Sequence, residues 1–169
     1  MITTDIIILA AGKGTRMQSA LPKVLHQLAG QPMLSHVLTA ADTVVGGQKI
    51  VITGHGSDKV EHAIKDTDSI IVQQQEQLGT AHAVQMAIPY LRTDARVLIL
   101  YGDVPLISAD TIHKMLAAVS DNNISLLTIN FDDPQGYGRV VRNPLGDIEA
   151  IIEQKDASPD QLDIKEINT

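Results

Sequence analysis

The sequence predicts an α/β fold, Rossmann-like, with a mostly parallel sheet flanked by helices and a β-hairpin-like insertion near the carboxyl end. Short apolar runs rich in β-branched residues recur at 6–9, 50–52, 70–72, 97–100 and 126–129. Amphipathic stretches near 32–44, 58–64, 80–91 and 109–119 lie between them. A continuous apolar run of this length suits a strand buried on both faces, because helices cover a parallel sheet from either side. The order βαβαβαβαβ follows, and with it a doubly wound layer. After Phe131 the texture changes. FDDPQGYG is turn chemistry, and VVR, NPLGD and IEAII read as two strands joined by a loop around Gly146.

Each element has a local reason. The first strand runs straight into LAAGKGTRMQSALPKVL at 9–25, where two glycines allow a tight exit. In the first long helix Pro32 suits the opening turn, where its missing N–H is no loss. Ser108 precedes the helix at 109–119 as a cap, and Ile112, Met115, Leu116 and Val119 share one face of it. The sequence shows no internal repeat and no flexible linker, so the chain reads as a single domain over 1–169.

Composition narrows the function. Hydrophobic residues make up 44% but aromatics only 2%, with three Tyr, Phe131 and no Trp, which leaves an aliphatic core and little for base-stacking platforms. Thirteen Lys and Arg against 20 Asp and Glu give a net charge of −7, which offers no general attraction to a nucleic-acid polymer or an anionic membrane. The lack of Cys excludes disulfides, thiolate zinc sites and a cysteine nucleophile. The N-terminus has no basic leader, and no stretch approaches the roughly 18 apolar residues of a membrane span. The chain reads as soluble and cytoplasmic. Its six His show no metal-ligand spacing and read as surface or satisfied core residues.

Six segments carry candidate chemistry. Gly12 and Gly14 let successive backbone N–H groups approach phosphate oxygens, and Lys13, Arg16 and Lys23 add charge. The first 30 residues carry +2 and the remainder −9, so the positive charge is local. A dinucleotide fingerprint would need a small residue where Met17 stands, and an acid where the second strand ends in Thr53 and Gly54. Gly12-Lys13-Gly14-Thr15 equally breaks the nucleoside-triphosphate loop pattern, and a plain strand-to-helix turn with surface cations stays open beside an anion loop. Asp103 ends the fourth strand at the carboxyl edge of the sheet, where open α/β folds place ligands. A carboxylate there can hold Mg²⁺ together with phosphate oxygens, or can be a turn Asp before Pro105. In QQQEQLGTAHAV, Gln amides can read a nucleobase edge, and Gly79 with Thr80 opens a helix whose N-terminus forms another polar wall. GYGR, IIEQKDA and EINT supply residue types that hydrogen-bond sugar hydroxyl and acetamido groups.

LAAGKGTRM with SALPKVL, QLGTAHA, YGDVPL, GYGR, EQKDA and EINT together resemble, in order and spacing, one bacterial family over residues 6–169. It is the bifunctional N-acetylglucosamine-1-phosphate uridylyltransferase / glucosamine-1-phosphate acetyltransferase family, in its amino-terminal uridylyltransferase region. Thymidylyl and guanylyl relatives usually carry a different first loop and lysine motif. Ala10-Ala11-Gly12 and Leu21-Pro22-Lys23 are similar to the uridylyl branch. The resemblance implies the sugar nucleotidyltransferase fold, Mg²⁺ as cofactor, and UTP and N-acetylglucosamine 1-phosphate as substrates. It implies that Leu9, Ala10, Ala11, Gly12, Gln74, Gly79 and Thr80 hold uracil and ribose, and that Arg16 and Lys23 grip the phosphates as catalytic cations. Asp103 would hold Mg²⁺, while Tyr101, Gly102, Gly138, Glu153 and Asn168 would contact the sugar half.

The implied reaction is in-line attack of an already anionic phosphate oxygen on the α-phosphorus, with pyrophosphate leaving and no general base. The family continues beyond this motif set into an Asn that is a second metal ligand and a hexapeptide-repeat acetyltransferase domain, through which the parent would form a homotrimer. The 169 residues are therefore expected to stop inside a sugar-binding block and to be weakly active or inactive alone. Competing expectations are a non-catalytic nucleotide-sugar binding domain, a nucleotidyltransferase for another sugar 1-phosphate, and a Rossmann oxidoreductase.

Overall fold

Isoleucine builds the central strand. β1 (Thr4–Ala10) buries Ile6, Ile7 and Ile8 completely, so both of its faces are covered. The computed structural model describes every residue except 1, 2, 13, 15, 16, 18, 121, 122 and 169. After β1 come the short pair β2 (Gln27–Leu28) and β3 (Gln31–Pro32), then α1 (Met33–Ala41), β4 (Lys49–Thr53) and α2 (Ser57–Ile64). β5 (Ser69–Gln73), α3 (Thr80–Ala87), β6 (Arg96–Tyr101) and α4 (Ala109–Ala118) follow. The chain divides into two compact units, 1–114 and 115–169.

In the first unit β5, β4, β1 and β6 form a parallel sheet in that order, with Ile7 opposite Ile50 on one side and Ile99 on the other. Each strand is joined to the next by a helix, and right-handed crossovers put α1 and α2 on one face and α3 on the other. On the α3 face the small residues Ala83 and Ala87 let the helix lie close against Ile7, Ile50, Ile52 and Val72. Ile6, Ile8 and Val51, which alternate with these, are buried on the opposite face. β6 departs from the expected two-sided burial: as the edge strand it buries Leu98 and Leu100 but leaves Val97 and Ile99 more than 40% exposed.

The amino end of β1 is clasped. Asp5, fully buried, accepts hydrogen bonds from the Arg92 backbone N at 2.9 Å, from Arg92 Nε at 2.9 Å, and from the Gln48 backbone N at 3.3 Å. Burial alone would raise the Asp5 carboxyl, but the Arg92 and Gln48 hydrogen bonds and the guanidinium charge outweigh it and hold the group below its ordinary value.

The second unit is an antiparallel sheet of β7 (Thr128–Asn130), β8 (Arg139–Arg142), β9 (Ile148–Ile152) and β10 (Glu166–Asn168), in the order β7-β10-β8-β9, with the short α5 (Pro159–Leu162) before β10. The run at 126–129, expected as a fifth strand of the parallel layer, instead contributes to β7 and pairs antiparallel with β10. An apolar run says that a strand forms; it does not name the neighbour. The expected hairpin is β8–β9, and its turn is held by Asn143 Oδ1, which accepts from Leu145 N and Asp147 N at 2.9 Å each. Arg142 and Glu166 form a two-pronged pair at 2.6 and 2.7 Å, which together with a Thr128 hydrogen bond lowers the Glu166 carboxyl to about 2. Two local readings are adjusted. Pro32 stands just before α1 as its cap residue, and α1 closes at Ala41 rather than near Val44. Ser108 caps α4 as read, its Oγ accepting from Thr111 N at 3.1 Å. Among the described residues no helix is long and apolar enough to cross a membrane.

Candidate functional site

The strand order β5-β4-β1-β6 reverses direction at β1, and in open α/β sheets the crevice beyond the carboxyl ends at such a reversal is the place for a ligand. A cavity of about 240 Å³ lies there in the first unit. Four segments reach it, each from the end of a different element.

The first is the exit of β1, where Leu9, Ala11 and Gly12 line the cavity and a Cβ on Gly12 would meet no described atom within 4 Å. The second is a single 3₁₀ turn, Lys23–Leu25. Val24 and Leu25 are buried, which fixes where the Lys23 side chain emerges. The third is the exit of β6: Gly102 N donates to Leu9 O at 2.9 Å, and Asp103 follows. Lys23 Nζ then donates to Asp103 Oδ2 at 2.7 Å. These side chains are 42% and 29% exposed, so the pair adds only about 0–1 kcal/mol to folding. An ammonium and a carboxylate held at a cavity wall for so little stability form an electrostatic switch point: the ammonium can turn to an anion, and the carboxylate to a cation.

The fourth segment brings polar groups to the cavity wall. Gln74 N donates to Thr53 O at 2.8 Å, which turns the chain off the end of β5 and carries the side chain inward, where the residue is 3% exposed. Gln74 Nε2 donates to Gly79 O at 3.3 Å and lies 2.9 Å from His82 Nδ1. Gly79 has φ +100°, a conformation that favours glycine, and it sets the start of α3 at Thr80. Beside it, Gly54 at the end of β4 allows a close approach: a Cβ there would stand 2.7 Å from Ala11 O and 2.7 Å from Gln77 Nε2.

Of the residues singled out from the sequence, Leu9, Ala11, Gly12, Lys23, Gln74, Gly79, Thr80, Tyr101 and Asp103 line this cavity. Ala10 does not; it is buried in the ladder opposite Thr53. Gly102 packs at the β1–β6 junction, where a Cβ would stand 3.1 Å from Leu9 O and 3.2 Å from Val24. Arg16, with Lys13, lies outside the described residues. Gly138, Glu153 and Asn168 belong to the second unit. There a Cβ on Gly138 would stand 3.0 Å from Asn168 Oδ1, while the Glu153 carbonyl accepts from Asp156 N at 2.9 Å to start a 3₁₀ turn. Sequence reasoning passed over Val24, Gln77 and Ala83 in the lining, and His82 behind Gln74. Only the glutamine tract hinted at one of them.

The carboxylate content bears on a metal. Asp103 is the one acid in the described lining, and among the described residues no three His, Asp or Glu cluster as a metal cage. One carboxylate, with one oxygen already held by Lys23, fits a hard cation that arrives on phosphate oxygens, as Mg²⁺ usually binds.

Comparison with known proteins shows the family and the fold. A family model described as the MobA-like NTP transferase domain matches residues 6–158. The chain is 54% identical over 165 residues to the "Bifunctional protein GlmU" of Cellvibrio japonicus, covering 98% of this chain and 36% of that protein. It is 53% identical over 168 residues to the "Bifunctional protein GlmU" of Pseudomonas aeruginosa, covering 99% of this chain and 37% of that protein. The chain thus spans a little over a third of the length of these curated relatives. Among solved structures, a putative glucose-1-phosphate thymidylyltransferase from Bacillus anthracis superposes with a TM-score of 0.78 at 19% identity, over 99% of this chain and 69% of that one. The inositol-1-phosphate CTP transferase from T. maritima gives 0.73 at 19% identity, over 100% and 69%. At that identity the two show the fold.

Proposed function

The chain belongs to the MobA-like NTP transferase domain family, and on that premise we propose that it transfers a uridylyl group from UTP to N-acetylglucosamine 1-phosphate, giving UDP-N-acetylglucosamine and pyrophosphate. The observation that carries the proposal is one cavity joining a Lys23–Asp103 ion pair to a buried, hydrogen-bonded Gln74 amide. The pair suits a metal-bound triphosphate and the amide suits a base edge. The choice of uridine and of this sugar phosphate is supported by identity above 50% to proteins named GlmU, together with the ordered motifs.

In the proposed reaction a phosphate oxygen of the sugar 1-phosphate forms a bond to the α-phosphorus of UTP, and the bond from that phosphorus to the bridging oxygen of pyrophosphate breaks. The attacking oxygen is already an anion, so no side chain need remove a proton. The protein's work is then to position two polyanions and to stabilise charge moving onto the leaving group. Leu9, Ala11 and Gly12 form the wall along which the nucleotide lies, with Gln74, Gly79 and Thr80 at the base end. Lys23 leaves Asp103 to meet the phosphates, and Arg16 is proposed to meet them as well. Asp103 would hold Mg²⁺, which when bound would neutralise phosphate charge. For the second unit we propose that the Asn168 carboxamide, packed against Gly138, serves a sugar hydroxyl or acetamido group. A nucleoside triphosphate substrate argues for the cytoplasm as the place of action.

The test is calorimetric titration with UTP, CTP, ATP and GTP in the presence of Mg²⁺, followed by pyrophosphate release with a panel of sugar 1-phosphates. UTP should bind most tightly, and N-acetylglucosamine 1-phosphate should give the fastest release. Equal affinity for all four nucleotides, or none for any, would overturn the proposal. Tight UTP binding with no release from any sugar phosphate would overturn transfer by these 169 residues on their own.

A further inference from the structure

We infer that His82 is a positioning residue that locks the Gln74 amide in the one orientation that accepts a hydrogen bond from a nucleobase, and so sets the preference for uridine over cytidine. The inference rests on the proposed use of this cavity for UTP. It starts from Gly79 O, which can only accept. Ala83 N donates to it at 3.1 Å as the first turn of α3 forms, and a Gln74 side-chain atom lies 3.3 Å away. An amide oxygen in that place would face a carbonyl oxygen, so the atom is Nε2. The second Nε2 hydrogen is then directed at His82 Nδ1, 2.9 Å away, which must accept it. His82 is therefore the neutral tautomer protonated on Nε2. With both hydrogens of Nε2 committed and the residue 3% exposed, Oε1 is what Gln74 has left to offer in the cavity it lines. Both bonds of the Gln74 side chain, to Gly79 O and to His82 Nδ1, run from Nε2 and leave Oε1 out.

That arrangement discriminates between pyrimidines. Uracil carries N3–H, a donor, between two acceptor oxygens. Cytosine carries N3 as a bare acceptor beside its amino group. A fixed Oε1 satisfies the first and opposes the second. A freely turning amide would serve both, because rotating it by half a turn exchanges acceptor for donor. His82 adds no contact to the ligand in this account; it removes the second orientation of a residue that makes one.

The experiment compares UTP and CTP affinity by calorimetry for the chain and two variants. His82→Phe keeps an aromatic ring but has no acceptor, and should reduce the UTP-over-CTP ratio by roughly 3- to 10-fold, the range expected for one neutral hydrogen bond. His82→Asn places Oδ1 near the position of Nδ1 and should restore most of the ratio, which a merely structural role would not predict. If the unaltered chain shows no preference for UTP, the functional reading itself fails. If it prefers UTP and His82→Phe leaves the ratio unchanged, this inference alone fails. Should the variant not fold, ¹⁵N NMR of the imidazole in the unaltered chain decides: protonation on Nε2 is required, and protonation on Nδ1 overturns the lock.

Discussion

Replacing Gly12 with alanine should separate binding from stability, and replacing Gly54 should do the opposite. A Cβ on Gly12 meets no described atom within 4 Å, and its φ is not in the left-handed region, so among the described residues the methyl enters open cavity space without strain. The substitution should stabilise the fold by about 0.4–1 kcal/mol through the unfolded chain. For a chain of this size that raises Tm by about 1–4 °C. If phosphates pass over this backbone, the same methyl displaces them and removes at least one charge-assisted hydrogen bond. That is a loss of about 1.5–3 kcal/mol, or roughly 10- to 100-fold in UTP affinity. On Gly54 the methyl would stand 2.7 Å from Ala11 O and 3.0 Å from Ala11 Cα, both backbone atoms that no rotamer change can move. Overpacking of that kind costs about 1–3 kcal/mol. Thermal melts and calorimetry on both variants give four numbers. An unchanged UTP affinity in Gly12→Ala refutes the proposed phosphate path, and a lowered Tm in the same variant refutes the open space.

Lys23→Ala should weaken UTP binding by roughly 10- to 100-fold while changing stability by no more than about 1 kcal/mol, because the Asp103 pair is half in solvent. Calorimetry and urea denaturation check the two halves separately. Ile7→Ala removes a fully buried side chain between β4 and β6, and should cost about 2–5 kcal/mol in urea denaturation. Acid should destabilise the chain in a definite window. Glu166 and Asp5 titrate lower in the folded than in the unfolded state, so their contribution is present above the unfolded value and lost as pH falls through the folded one. For Glu166 that window runs from 4.5 down to about 2, and Glu166→Gln should flatten part of the slope of stability against pH there.

The parallel sheet was legible because buried strands have a distinctive texture: 6–9, 50–52, 70–72 and 97–100 are apolar on both faces, and each becomes a strand of that sheet. The run at 126–129 has the same texture and a different fate. Partner choice depends on segments far along the chain, here 166–168, and periodicity carries no information about them. The cavity was legible wherever chemistry and position coincided, as at Lys23, Gln74 and Asp103. Gln77 and His82 were not, because their importance comes from what lies opposite them. Gln77 matters through Gly54, and His82 through an amide eight residues earlier. Ala10 and Gly102 show the converse: they belong to a motif around the site, yet the structure uses them for packing.

The clasp on Asp5 has a mechanical consequence. β1 is the strand whose far end carries Leu9, Ala11 and Gly12 into the cavity, and Arg92 and Gln48 rivet it at the end away from that cavity. Local opening at the two ends is then unequal. Amide exchange should be slower at Asp5 and Ile6 than at Ala11 and Gly12, so the two described residues at the cavity can shift to meet a ligand while the strand behind them stays shut.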